Sequence, residues 1–336
     1  MNSFVAWSRA LLLASAIVVA LGTGGSAQQP QARAPQQNAD NAQMQVLRVQ
    51  GNVYMIAGAG GNTTVQVGDS GVLVVDTQLA QAGDKLLAAI RTISPKPIHY
   101  IINTHFHDDH SGGNAVLAKA GPTRPDRVPA PAGLGGNVDA KTTIVAHENV
   151  LNRMVVTGPE GRPPDVWPTD TYFGDDKEVF FNGEAVQILH QPAAHTDGDS
   201  IVFFRRSDVI ATGDIFTTTM YPFIDTQRGG SINGIIAALN RIIDIAIPDH
   251  HVQEGGTMIV PGHGRLCDEQ DVIEYRDMVT IVRDRIQYMI KKGMTLEQVK
   301  AAKPTLDFDP RYGTDTGFWT TAMFVETIYR DLTRKK

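Results

Sequence analysis

The sequence predicts an α/β fold, and three observations predict it. Short β-branched runs bounded by Gly and polar turns recur from Asn52 to Val260. Helical periodicity interrupts them at residues 80–93 and 231–245, and nearly everything after Asp268 has helical spacing. With 42% hydrophobic and 20% charged residues, the composition is that of a globular protein, not of a disordered chain, a fibre or a membrane bundle. Ten histidines stand against one cysteine, Cys267, which excludes an intrachain disulfide and a thiolate cage, so a hydrophobic core must hold one large domain together. The net charge is −6 with Lys and Arg scattered, so no basic stripe serves a phosphate backbone and nucleic acid is not an expected partner.

At the N-terminus, Arg9 gives a positive flank, residues 10–21 an apolar run and Gly25-Ser26-Ala27 a small-residue cleavage site. This is the pattern of a secretory signal over residues 1–27. The apolar run falls short of the ~18 residues that span a bilayer, so no stable membrane span is expected after cleavage and the expected location is periplasmic or secreted. Residues 28–45, rich in Gln, Ala, Asn and Pro without an apolar period, read as a disordered linker ahead of a domain over 46–336.

Strands are expected at 52–56, 64–67 and 72–75, the last followed by Asp76. A helix at 80–93, with Leu86, Leu87, Ile90 and Ile93 on one face, leads through Pro95 and Pro97 into a buried strand at 98–103. Residues 121–170 are crowded with Pro and Gly and too long for an ordinary connection, which reads as a lid or a mobile excursion. Strands resume at 178–181, 185–189, 200–204 and 208–211, then a helix at 231–245 and a strand at 257–260. A helical extension from about 268 comprises helices at 271–292, after a capping box of Thr295 with Gln298, and near 318–332.

The chemistry concentrates in Thr104-His105-Phe106-His107-Asp108-Asp109-His110, just beyond the strand at 98–103. Side chains two apart in extended backbone share a face, so His105 and His107 can point to one centre, while Asp109 and His110 enter the tighter turn and can reach a second. Crowding imidazoles and carboxylates in this way is costly unless a cation offsets it. Three later turns repeat a metal-capable residue beyond a strand: His195 in Ala194-His195-Thr196, Asp214 after Gly213, and His263 between Gly262 and Gly264. Flanking glycines allow close backbone approach there. Tyr221, a few residues beyond Asp214, is a candidate donor to a substrate oxygen. His147 reads as a helix-start residue, and His99, His190, His250 and His251 lack a partner motif. Trp167 and Tyr172 read as pocket lining or as anchors of the excursion.

With these residues in view, the chain resembles the metallo-β-lactamase superfamily of metallohydrolases. The His-x-His-x-Asp-His signature is complete as His105, His107, Asp109 and His110, and His195, Asp214 and His263 follow in the family's order. The resemblance covers about Val46 to Leu266 and implies an αββα sandwich, two mixed β-sheets with helices on the outer faces, to which the C-terminal helices are added. It implies His105, His107 and His195 on a first metal, Asp109, His110 and His263 on a second, and Asp214 bridging them. Asp76 is then expected to hydrogen-bond a ligand or the loop that carries it, and Asp108 to face solvent or serve the structure. Two Zn²⁺ per chain suit imidazole and carboxylate donors, and iron or manganese accept the same set.

The implied reaction is attack by metal-bound hydroxide on a small-molecule ester, lactone, thioester or amide, with Asp109, Asp214 and Tyr221 as the catalytic candidates. A class B-like β-lactamase is the first alternative, against which Asp214 argues because dedicated β-lactamases of the family typically replace that residue. An iron-dependent redox or sulfur-metabolism enzyme is the second.

Overall fold

Apolar runs that face two different hydrophobic layers at once organise the protein. The computed structural model describes residues 43–122, 141–156, 161–248 and 255–334. The signal expected at 1–27, most of the expected linker, His250 and His251 lie outside the described residues. One sheet contains Gln45–Gln50 (β1), Val53–Ala57 (β2), Thr63–Gly68 (β3), Gly71–Val75 (β4), Ile98–Ile102 (β5), Thr143–His147 (β6) and Asp170–Tyr172 (β7), ordered β1 to β7 across the sheet. β1 to β4 pair antiparallel, and β4 to β7 run parallel. Gly83–Ile93 (α1), Asp108–Ser111 (α2), Asn114–Ala118 (α3) and Glu148–Met154 (α4) connect the parallel strands.

The second sheet contains Asp176–Phe181 (β8), Glu184–Gln191 (β9), Asp199–Phe204 (β10), Val209–Ala211 (β11) and Met258–Val260 (β12), in the order β12-β11-β10-β9-β8. Ile232–Ile245 (α5) precedes β12. Glu269–Lys291 (α6), Leu296–Ala301 (α7), Asp309–Tyr312 (α8) and Thr321–Thr333 (α9) follow it.

Alternation assigns each side chain of a strand to one layer. In β4, Val72 and Val74 pack with Leu86 and Ile90 of α1, while Leu73 and Val75 enter the space between the sheets. In β10, Val202 and Phe204 meet them there, while Ile201 and Phe203 turn outward against α5 and α6. Strands covered on both faces lose the apolar/polar alternation, which is why both read as near-continuous apolar runs. The result is the expected αββα sandwich with added C-terminal helices. Ser231 caps α5 by accepting from Gly234 N, and both Asp268 with Asp271 and Thr295 with Gln298 form capping boxes. Among the described residues no helix is long and apolar enough to cross a membrane.

One expectation is corrected, and one strand is added. The 121–170 stretch is not an excursion throughout, since it contains β6, whose Ile144 and Val145 are paired with Ile101 and Ile102 of β5. Its Pro and Gly content concealed a short apolar run that belongs inside the parallel sheet. Val46, expected near the start of the domain, lies within β1, a strand that the polar composition up to Gln45 did not announce.

Candidate metal centre

The loops that carry the polar cluster leave the same end of strands running in a common direction. β4 and β5 are parallel in the first sheet, and Asp76 and the His105 to His110 segment follow them. β9 and β11 are each antiparallel to β10, and β12 is parallel to β11, so the turns bearing His195, Asp214 and His263 also follow codirectional strands. Two close approaches require glycine: a Cβ on Gly61 would overlap the His110 ring, and one on Gly262 would overlap Asp214 Oδ1. Asp76 itself has φ 60°, a conformation held in place by what its carboxylate accepts. Those bonds come from Thr104 N at 2.8 Å, Thr104 Oγ1 at 2.7 Å and His110 Nδ1 at 2.7 Å.

Counting protons fixes the free nitrogen of each ring. Thr104 Oγ1 spends its hydrogen on Asp76, so its contact with His105 Nδ1 at 3.0 Å is donated by the histidine. His105 Nε2 then keeps its lone pair, and it is buried without a hydrogen-bond partner. His195 Nδ1 donates to Phe223 O at 2.7 Å, and His107 Nε2 faces Asp225 Oδ2 at 3.3 Å. The remaining nitrogens, His195 Nε2 and His107 Nδ1, come within 2.9 Å of each other. His110 donates Nδ1–H to Asp76 and turns Nε2 toward Asp214 Oδ1 at 3.1 Å and His263 Nε2 at 3.4 Å.

Three overlapping donor groups result: His105 with His107 and His195, His105 with His110 and Asp214, and Asp109 with His110 and His263, each with its atoms within 4.8 Å of one another. Asp214 lies between the outer two groups. Its Oδ2 is 3.9 Å from His195 Nε2, and its Oδ1 is 3.4 Å from His263 Nε2, which in turn is 3.3 Å from Asp109 Oδ2. Lone pairs facing lone pairs in a buried cleft, with all donors nitrogen or carboxylate, fit a divalent metal ion, zinc, iron and manganese among them.

The electrostatics differ across the cleft. Burial, reinforced by neighbouring histidines, holds His105 well below its ordinary pKa and His195 down to about 4. Burial also opposes charge on His110 and His263, yet the carboxylates outweigh it. Asp214, Asp76 and Asp109 hold His110 well above the ordinary value, and Asp214 with Asp109 raise His263 to about 9. Asp109 and Asp214, despite burial that disfavours their charge, are in turn held below the carboxylate range by His110 and His263. The Asp109/His110/His263 side therefore demands positive charge, which a proton or a metal cation meets.

The structure thus brings together His105, His107, Asp109, His110, His195, Asp214 and His263. It does not bring Tyr221 to them. Tyr221 is 2% exposed, its hydroxyl bonds Thr305 O at 3.2 Å and Asp309 Oδ1 at 2.8 Å, and its ring stacks on Phe324. Its expected catalytic role is corrected, because its only polar atom is used to tie the C-terminal helices to the domain. Asp108 pairs with Arg162 Nε at 2.6 Å, away from the cluster.

His147 caps α4 through Asn149 N and stacks on His190 with ring centroids 3.5 Å apart. Tyr172 bonds Ser200 Oγ, and Trp167 Nε1 donates to Arg162 O. Sequence reasoning missed Asp225 and the aromatic flank, where Phe223 lies 5.5 Å from His195 and 4.8 Å from Trp319 by ring centroids, with Phe318 at 6.0 Å. No local motif marks these residues.

A family model described as the metallo-beta-lactamase superfamily matches residues 49–263. A linear primary-alkylsulfatase of Pseudomonas sp. is 25% identical over 256 residues, covering 68% of this chain and 47% of that protein. The alkyl/aryl-sulfatase BDS1 of Saccharomyces cerevisiae is 28% identical over 326 residues, covering 86% of this chain and 49% of the yeast protein. The chain spans about half the length of these curated relatives. Among solved structures, the stereoselective inverting sec-alkylsulfatase Pisa1 from Pseudomonas sp. matches with a TM-score of 0.60 at 15% identity, over 85% of this chain and 50% of that one. The metallo-beta-lactamase from Pontibacter korlensis matches with a TM-score of 0.51 at 16% identity, over 71% of this chain and 99% of that one. At such identity these structures establish the fold alone.

Proposed function

The chain belongs to the metallo-beta-lactamase superfamily and carries its hydrolase fold, and from that premise we propose that it is a dinuclear zinc hydrolase, exported after cleavage behind Ala27, that splits a sulfate ester of an apolar alcohol into the alcohol and inorganic sulfate. The observation that carries the reading is the pair of donor groups on either side of Asp214, with His105 Nε2 of the first group buried without a hydrogen-bond partner. His105, His107 and His195 would hold one ion, Asp109, His110 and His263 the other, and Asp214 both. Zinc bound there supplies Lewis acidity and a nucleophilic oxygen at neutral pH.

The chain's own residues provide the rest. Ionised Asp109, partly open to solvent, can accept a hydrogen bond from the attacking water and so orient it. The half-buried rings of Phe223 and Phe318 offer the organic group an apolar flank beside His107 and His195. The named activities of two curated relatives, both sulfatases, favour a sulfate ester among the ester classes the site can serve.

The test is a hydrolysis screen of protein recovered from the periplasmic or culture fraction and shown by mass spectrometry to begin at Gln28. Dodecyl sulfate, carboxylic esters, lactones, thioesters, a phosphodiester and a chromogenic cephalosporin are compared alongside metal analysis. Release of inorganic sulfate with the highest kcat/KM, from protein carrying zinc, is expected. Cephalosporin or lactone turnover without sulfate release sinks the substrate assignment, iron as the resident metal favours the redox alternative, and recovery of intact Met1 in a membrane fraction sinks export.

A further inference from the structure

We propose that Asp225 is a positioning residue for the first donor group, fixing the tautomer and direction of His107 while its loop clasps His195. The inference rests on the metal-centre reading above. A histidine presents a ligand lone pair from one nitrogen only when the other carries the hydrogen, and the partner of that hydrogen decides which nitrogen it is. His107 Nε2 is 3.3 Å from Asp225 Oδ2, so its hydrogen belongs there and the lone pair stays on Nδ1, the atom 2.9 Å from His195 Nε2. Asp225 is 5% exposed, which removes most of the solvent that would weaken this contact.

The same short segment also orients His195. Asp225 N donates to His195 O at 2.9 Å, and Phe223 O, two residues earlier, accepts His195 Nδ1–H at 2.7 Å. The segment is anchored in turn, with Gly230 N donating to Asp225 O at 2.9 Å and Arg228 N to Asp225 Oδ1 at 3.3 Å. Asp76 performs the corresponding task for His110 on the other side of the cleft. Each outer donor group therefore has its own buried carboxylate, one from the first sheet and one from the loop ahead of α5.

Asp225 also caps the turn at residues 226–228 and pairs with Arg228 Nη1 at 3.7 Å, and a purely structural role would consist of those two contacts. Asp225→Asn keeps the cap, since asparagine caps a turn as well as aspartate, but removes the charge from both His107 and Arg228. Arg228→Gln, which breaks the ion pair alone, is therefore measured beside it to separate the two roles. The experiment measures stepwise zinc affinity by chelator competition in wild type and in Asp225→Asn. His195→Ala and His263→Ala serve as references for which centre is lost, and the thermal midpoint of the zinc-stripped proteins is recorded alongside.

The expected result is a roughly 10- to 100-fold weaker first centre, the range typical when the partner of a metal-bound histidine is lost, with the second centre and the stripped midpoint unchanged. Wild-type affinity at both centres in the variant overturns the proposal. So does equal weakening of both centres with a lowered midpoint, which marks the turn alone. Failure of wild type to bind zinc at all would instead remove the metal-centre reading on which the proposal stands.

Discussion

His105 and His195 on one side of Asp214, and His110 and His263 on the other, are the same residue type held in opposite charge environments. The first pair is buried among other imidazoles, and both members are pushed toward the neutral form. The second pair is surrounded by Asp76, Asp109 and Asp214, which pull positive charge onto it. The difference teaches that one half of the site is organised by where lone pairs point and the other by net charge. Ligation on the first side needs correct tautomers, supplied by Thr104, Phe223 and Asp225. On the second side it needs a cation to replace protons that the carboxylates already attract.

Asp214 is the residue the two halves share, so its loss is the largest expected effect. Asp214→Asn keeps the shape and removes the charge that faces His195 through one oxygen and His110 and His263 through the other. We expect kcat on the best substrate to fall by on the order of 10²-fold or more, with zinc affinity reduced at both centres. Wild-type turnover with full metal content would show that the halves are independent and that Asp214 does not bridge them.

The layout of this comparison was legible in the sequence because its parts are local. Four donors lie within six residues after one strand, and His195, Asp214 and His263 each sit in a short turn after another, so strand ends alone predict convergence. The supports were not legible, because only the fold brings them close. Asp225 meets His107 across 118 positions, and nothing in Ile224-Asp225-Thr226 announces a partner. Tyr221 misled for the converse reason. Nearness to Asp214 in sequence suggested nearness in space, but the chain turns its ring into the C-terminal layer, 84 and 88 positions from the groups it bonds. β6 was hidden because a strand buried on both faces has no alternation to read, and its flanks are rich in Pro and Gly.

Acid should separate the halves by a smaller margin. His263, raised to about 9, carries a proton at neutral pH that zinc must displace, so affinity at the second centre falls progressively as pH drops below about 9. His195, lowered to about 4, is already neutral there, so it imposes no such proton penalty on the first centre until pH approaches 4. Competition titrations between pH 8 and 5.5 should therefore show one zinc weakening more steeply than the other. His263→Ala should make the steeper of the two dependences shallower, with His110, also held above its ordinary value, keeping the remainder. Parallel pH dependences for both ions would contradict the charge asymmetry.

The smallest effect is expected at Asp108, which sharpens the comparison by lying between ligands in sequence yet outside both groups in space. Its side chain is 58% exposed and paired with Arg162 Nε at 2.6 Å. An ion pair so open to solvent contributes about 1 kcal/mol or less, since water and salt screen it and both side chains lose freedom to form it. Asp108→Asn keeps a polar side chain at the start of α2 and leaves all seven clustered residues untouched. We expect two zinc ions per chain, kcat within about twofold of wild type and at most a slight decrease in thermal midpoint. Parallel assays with Asp214→Asn make the contrast quantitative, because the two substitutions remove one negative charge each from the same molecule. If Asp108→Asn lost metal or activity to the extent of Asp214→Asn, the field of the whole loop, and not the direction in which each carboxylate points, would govern the site.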